Sequence, residues 1–116
     1  LWISDGSSLL RRYDDQLRWC ESRRVTRAGL PVRHLNALCA AGDRLLANLW
    51  YSHWVAEIDP SAGRLTRMVD CRNLIAAEGR RNEHHVLNGI AHDERRGTFY
   101  LTGKHWRRCF EVKIPR

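Results

Sequence analysis

The chain has little of what marks several common classes of protein. Only three of its 116 residues are proline and one is methionine, and no apolar run approaches the roughly 18 consecutive residues of a membrane helix. Its four cysteines, Cys20, Cys39, Cys71 and Cys109, are far apart with no C-x-x-C pair, which argues against a zinc ribbon or a dithiol redox site. Cys20, Cys39 and Cys109 fall in strand-like runs and are expected to be buried as small apolar side chains. A disulfide stays open. Negative charge is also scarce, with 13 acidic against 20 basic residues for a net charge of +7. The doublets Arg11-Arg12, Arg23-Arg24, Arg80-Arg81, Arg95-Arg96 and Arg107-Arg108 are scattered, without the basic helix or aromatic motif of a specific nucleic-acid footprint. No specific nucleic-acid or membrane partner is expected, and nonspecific polyanion binding stays open. His84-His85 is the one local histidine pair. On a strand its two rings would face opposite sides, a poor start for a metal site.

What is present is a succession of short strand signals. Val86 to Asp93, Thr98 to Lys104 and Cys109 to Lys113 read as three strands, with a turn at Asp93-Glu94-Arg95-Arg96-Gly97. His34 to Asp70 supplies four more, at about 35–41, 44–50, 54–58 and 64–70. Leu1 to Val25 supplies three, Leu1–Ser4, Leu9–Tyr13 and Leu17–Val25. Asp5-Gly6-Ser7-Ser8 and Asp14-Asp15-Gln16 are turn chemistry between them, and Thr26–Pro31 reads as a connection. Ten strands in three antiparallel sheets are expected, with at most a helical turn at Asn73–Glu78 inside the polar stretch from Cys71 to His85.

The strand units repeat. His34-Leu35-Asn36-Ala37-Leu38 matches Val86-Leu87-Asn88-Gly89-Ile90 at an offset of 52 residues, from Asn36 to Asn88. Ala47-Asn48-Leu49-Trp50 and Ala56-Glu57-Ile58-Asp59 match the segments ending at Lys104 and Lys113 at an offset of 54, and Ile3-Ser4-Asp5 matches Asn48-Leu49-Trp50 at an offset of 45. All-strand repeats of this length point to propeller blades. The fold class is therefore all-β, a partial β-propeller of about three blades at 1–26, 34–70 and 86–114 in one domain, 1–116. Leu1 is not a methionine and already reads as strand, so N-terminal blades are expected upstream. The offsets put Asp5, Trp50 and Lys104 at one equivalent place, the end of the second strand, and pair Asn36 with Asn88. Equivalent positions in a propeller converge on one end of the channel, where a ligand would sit.

These motifs, together with Arg33-His34-Leu35-Asn36-Ala37-Leu38, Thr102-Gly103-Lys104-His105-Trp106 and Phe110-Glu111-Val112, resemble the plant-type glutaminyl-peptide cyclotransferases over nearly the whole chain. The resemblance implies the C-terminal part of a five-bladed propeller enzyme that converts N-terminal glutamine of peptides or proteins to pyroglutamate with release of ammonia, needing no metal or cofactor. It implies a monomer that is secreted or periplasmic. By the same resemblance Asn36 hydrogen-bonds the substrate, Trp50 walls the pocket and Lys104 stabilises the developing oxyanion or anchors the carbonyl; Asn88 and Asp5, placed by the repeat offsets, are weaker substrate-binding candidates that serve equally well as structural groups. The chain departs from the family at Ala37, Cys39, Tyr51-Ser52-His53-Trp54 and Arg107, and the family's catalytic glutamate belongs to an upstream blade with no counterpart here. The isolated chain is accordingly expected to be inactive and marginally folded. A noncatalytic propeller scaffold and a basic polyanion-binding β module are the alternatives from other classes.

Overall fold

The computed structural model describes residues 1–79 and 82–116; the Arg80-Arg81 doublet lies outside the described residues. Three sheets account for the strands. The first has the order β1-β2-β3, from β1 (Trp2–Ile3), β2 (Leu9–Tyr13) and β3 (Trp19–Arg24). The second runs β5-β4-β9-β8-β7-β6, from β4 (Thr26–Arg27), β5 (Leu30–Pro31), β6 (Leu35–Ala41), β7 (Arg44–Leu49), β8 (Trp54–Asp59) and β9 (Arg64–Asp70). After α1 (Arg72–Glu78) the third sheet has the order β10-β11-β12, from β10 (Leu87–Asp93), β11 (Thr98–Gly103) and β12 (Phe110–Val112). Among the described residues no helix is long and apolar enough to cross a membrane.

Among the described residues the expected ten strands become twelve, and one pairing is parallel. Thr26–Pro31 is not a plain connection: Ala28 and Gly29 both take positive φ, 50° and 79°, the backbone of a two-residue hairpin turn. That turn folds β4 onto β5, and Thr26 then pairs in parallel with Arg64 of β9. The expected strand from Leu17 also starts later. Asp14 accepts hydrogen bonds from the amides of Gln16 and Arg18, both at 2.9 Å, and Leu17 lies in the turn with φ of 60°.

Alternation along the second sheet builds two cores, one on each face. Leu45, Ala47, Ala56 and Ile58 face one way, onto Leu10 and Val25 of the first sheet's side. Leu46 and Val55 face the other way, onto Leu87, Phe99 and Leu101 of the third sheet. Each fully buried leucine contributes about 2 kcal/mol, so the second sheet is clamped by both neighbours. The short helix adds Leu74 and Ile75 to the second core and ends at Gly79 in the left-handed conformation.

A polar clasp lies beside that core. Arg44 makes a two-pronged contact with Glu57, at 3.0 Å through Nε and 3.0 Å through Nη2, while Arg67 reaches the same carboxylate at 2.6 Å. Arg44 also donates to the carbonyl oxygen of Ile114 at 2.9 Å, which fastens the C-terminal segment. Burial alone would raise the Glu57 pKa, but hydrogen bonds from Arg44 and Arg67 outweigh it and hold the carboxyl below its ordinary value.

The cysteines correct the sequence expectation. Cys39 is buried, as is Cys71, but Cys20 and Cys109 are exposed, and all four are free thiols. β3 is the outer strand of its sheet and Cys20 shares its solvent-facing side, so a strand-like sequence did not bring a cover with it. His84 and His85 are in a turn ahead of β10 rather than on a strand. Among the described residues no three His, Cys, Asp or Glu side chains are placed to hold a metal ion.

Candidate active site

Two β-bulges shape the site. On β6 the register passes from Leu35 opposite Leu49 to Leu38 opposite Ala47, so Asn36 and Ala37 face the single residue Asn48. On β10 it passes from Leu87 opposite Gly103 to Ile90 opposite Leu101, so Asn88 and Gly89 face Thr102 alone. A bulge re-aims a side chain and leaves an amide outside the ladder. Both amides are captured by asparagines: Ala37 N–H donates to Asn88 Oδ1 at 3.4 Å, and Gly89 N–H donates to Asn48 Oδ1 at 3.0 Å. β6 and β10, edge strands of the second and third sheets, are thereby tied together at the two repeated Leu-Asn motifs.

β7 and β11 end in matching corners, and the end of a second strand expected at Asp5 instead follows the end of β1. Trp50 N–H donates to the carbonyl of His34 at 2.8 Å, and Lys104 N–H donates to that of Val86 at 2.9 Å. The next residue in each case, Tyr51 or His105, has φ of 59°, and Gly6 holds the same place in the first sheet with φ of 87°. The first corner docks on the start of β6: Gly6 N–H donates to Leu35 O at 2.8 Å, His34 N–H donates to Gly6 O at 3.0 Å, and Ser4 Oγ donates to Asn36 O at 2.5 Å. Asp5, Trp50 and Lys104 thus follow the C-terminal ends of β1, β7 and β11, while Asn36 and Asn88 lie at the N-terminal ends of β6 and β10. In antiparallel sheets these are the same end.

Their surroundings differ. Asn36 and Asn88 are half-buried, Trp50 is 44% exposed, and the exposed Lys104 side chain makes no ion pair with the described residues. The Asp5 carboxylate is already engaged, accepting from Ser7 Oγ at 2.6 Å, Ser7 N–H at 3.0 Å and Arg11 Nη1 at 2.7 Å. Those bonds, Ser7 first and then Arg11, hold its carboxyl well below the usual range. They give Asp5 a turn-forming job whatever else it does.

Several residues that sequence reasoning passed over position this end. Asn48 is fully buried, and its Nδ2 has no partner among the described residues; the signal was a lone amide inside Leu45-Leu46-Ala47-Asn48-Leu49. Tyr51 packs edge-on to Trp50 with ring centroids 4.7 Å apart and shares a 2.9 Å hydrogen bond with His84 Nδ1. Trp106 donates through Nε1 to His85 O at 2.8 Å and lies against Gly103, where an added Cβ would come within 2.4 Å of the indole. Glu78 of α1 accepts from the amides of Arg107 and Arg108. The loop carrying Lys104 is thus pinned on both sides.

The site offers amides that donate and accept, an indole wall and an ammonium, a set suited to holding a neutral carboxamide and stabilising negative charge on its oxygen. Of the nearby carboxylates, Asp5 is paired with Arg11 and Glu78 accepts through Oε1 from the 107–108 loop, while Glu83 is exposed and lies 3.6 Å from His84.

The described residues form a mostly β protein whose sheets bring amide, aromatic and cationic candidate residues to one end of the strands. The glutamine cyclotransferase family matches residues 1–114, and the chain belongs to that family. It is 34% identical over 118 residues to the glutaminyl-peptide cyclotransferase of Arabidopsis thaliana, covering 98% of this chain and 37% of that protein. It is also similar to the crystal structure of Myxococcus xanthus glutaminyl cyclase, with a TM-score of 0.92 and 35% identity over 97% of this chain and 50% of the other. The chain spans half or less of the length of both relatives.

Proposed function

We propose that the chain supplies part of the active site of a glutaminyl-peptide cyclotransferase, and that its three sheets are consecutive blades of a β-propeller, the C-terminal part of a five-bladed ring. The observation that carries this reading is the gathering of Asn36, Asn88, Trp50 and Lys104 at one end of the strands, by repeated bulges and corners, in a chain of this family.

In the proposed reaction the free α-amine of an N-terminal glutamine attacks the side-chain carboxamide carbon. A carbon–nitrogen bond closes the five-membered lactam, the carboxamide oxygen gains negative charge, and the bond to the amide nitrogen breaks. A proton moves from the attacking amine to the departing ammonia. Trp50 holds the aliphatic stem of the glutamine in the bent conformation that brings amine and carbonyl together. Asn36 and Asn88 hydrogen-bond the substrate, their orientation set by the bulges. Lys104 stabilises the oxyanion, an interaction that strengthens as charge develops and so acts on turnover. The proton carrier is a carboxylate supplied from outside these residues, as the family resemblance implies, since Asp5 is held by Ser7 and Arg11 and serves the turn.

Lys104→Ala in the active protein lowers kcat for a glutamine-initiated peptide by about 100-fold, the scale of losing one oxyanion donor, whereas Arg96→Ala leaves it nearly unchanged. Equal activities of the two variants would remove Lys104 from the site. The 116-residue chain by itself releases no measurable ammonia from such a peptide, and turnover within about tenfold of the longer protein, roughly 1.4 kcal/mol in barrier, would place the machinery wholly within these residues. Loss of activity confined to the isolated chain distinguishes this reading from a noncatalytic scaffold, which would be inactive at any length.

A further inference from the structure

Beside the candidate site, the β4–β5 hairpin at the edge of the second sheet borders a groove of about 320 Å³. Its floor is apolar, formed by Val32, Leu49 and Met68, with Leu30 at its lip 70% exposed. Arg27 and Arg33 flank it, and no carboxylate lines it. Most other arginines near these sheets are paired, as Arg11 is with Asp5, Arg44 and Arg67 with Glu57, and Arg23 with Glu21. Arg27 and Arg33 make no ion pair with the described residues. One end of the groove adjoins the site through the chain itself, since Leu49 precedes Trp50 and Arg33 precedes His34, whose carbonyl anchors the Trp50 amide.

We propose that this groove receives the substrate chain beyond its N-terminal glutamine and selects peptides in which an apolar residue is followed by carboxylates. The inference rests on the glutaminyl-peptide reading for the identity of the substrate. Extended peptide advances about 3.4 Å per residue, so a few residues beyond the glutamine suffice to follow the sheet from the corner into the groove. There an aliphatic side chain removes Leu49, Val32 and Met68 from water, and the acidic side chains meet Arg27 and Arg33. Arginine forms two-pronged contacts with a carboxylate, and with no resident acid to displace, the peptide carboxylates are its first partners. The exposed setting limits the gain to a modest preference that salt screens.

The test uses the active protein and three glutamine-initiated peptides: a dipeptide amide too short for the groove, one continuing Leu-Asp-Glu, and one continuing Leu-Lys-Lys. Expected is a kcat/KM roughly fivefold higher for the acidic than for the basic peptide, the scale of two exposed ion pairs. High salt and the double variant Arg27→Ala/Arg33→Ala both bring the ratio near one, with the dipeptide amide unaffected. Fluorescence anisotropy of the same peptides, labelled at the C-terminus, reads binding without turnover. If no glutamine peptide is converted yet the acidic one still binds through Arg27 and Arg33, the groove stands and the cyclotransferase reading falls. The inference is overturned if the acidic and basic peptides are treated alike in both assays, or if the preference survives the double variant. It is equally overturned if replacing the peptide leucine by serine changes nothing, which would mark the arginines as a nonspecific polyanion surface.

Discussion

Replacing Gly103 by alanine adds one methyl group at the place where the third sheet hands its chain to the Lys104 corner. The new Cβ would fall 2.4 Å from Cε2 and Nε1 of Trp106 and 2.5 Å from the carbonyl oxygen of Val86. Neither neighbour is a free side-chain end: the indole is tied to His85 O at 2.8 Å, and the Val86 carbonyl accepts the Lys104 amide at 2.9 Å. Overpacking of this kind costs about 2 kcal/mol, and loss of the indole hydrogen bond adds about 1 kcal/mol. With an unfolding entropy of about 2.1 cal/mol/K per residue, 116 residues give about 0.24 kcal/mol/K, so the midpoint falls by about 12 °C. Thermal unfolding followed by tryptophan fluorescence measures this directly, because Trp106 is the ring displaced. In the longer active protein, a shift of the Lys104 backbone by about 1 Å also lowers turnover by up to about 100-fold, read as ammonia release per folded molecule. Gly97→Ala is the control: Gly97 has φ of 65° but open space around it, so only backbone strain of about 1 kcal/mol applies. If Gly103→Ala matches Gly97→Ala in both midpoint and turnover, the close approach of Trp106 to Gly103 does not position Lys104.

Three further outcomes are expected. Glu57→Gln leaves Arg44 nearly enclosed without its counter-charge and destabilises by about 3 kcal/mol at neutral pH; because the folded-state pKa of Glu57 is lowered, the advantage of wild type is complete above the unfolded carboxyl value of about 4.3 and is lost as pH falls through the folded value, so the urea midpoints of wild type and variant should differ at pH 7 and converge in strong acid. At pH 8 a thiol reagent modifies the exposed Cys20 and Cys109 at once and reaches Cys39 and Cys71 only on unfolding, since burial raises the Cys39 thiol and burial with Asp70 pushes Cys71 up to about 11; four fast equivalents would contradict the packing. Asn48→Ala leaves the Gly89 amide without its acceptor and costs about 2 kcal/mol, visible as faster hydrogen exchange at Gly89 than in wild type.

The repeat was the most legible feature of the chain, because equal backbone paths need equal turn and core residues at equal spacing. The offsets of 45 and 54 that align Asp5, Trp50 and Lys104 are the same ones that relate the positive-φ corners at Gly6, Tyr51 and His105. The bulges were not legible, since a bulge is a mismatch in count between two strands and leaves no mark in the composition of either. Ala28-Gly29 was missed as a hairpin because the usual first turn residue is Asn, Asp or Gly, and alanine at φ of 50° is held there by the pairing of β4 with β9. Cysteine burial failed at Cys20 for a related reason, since strand propensity says that a residue alternates, not that another sheet covers it, and at Cys109 because the strand expected from there begins only at Phe110. Around the candidate site, the sequence marked which residues share an end of the sheets, while Trp106 on Gly103, Glu78 under the 107–108 loop and the spent carboxylate of Asp5 depend on contacts between distant segments.

The corner shared by the three sheets keeps geometry and chemistry separate. Gly6 adopts its positive φ freely, whereas Tyr51 and His105 hold φ of 59° with full side chains, a conformation that costs an L-residue about 1 kcal/mol. Ahead of this one backbone shape stand a carboxylate, an indole and an ammonium, at Asp5, Trp50 and Lys104. The turn therefore works as a socket whose occupant can be exchanged without rebuilding the sheet behind it. A change of specificity can then arise from single substitutions at those three addresses.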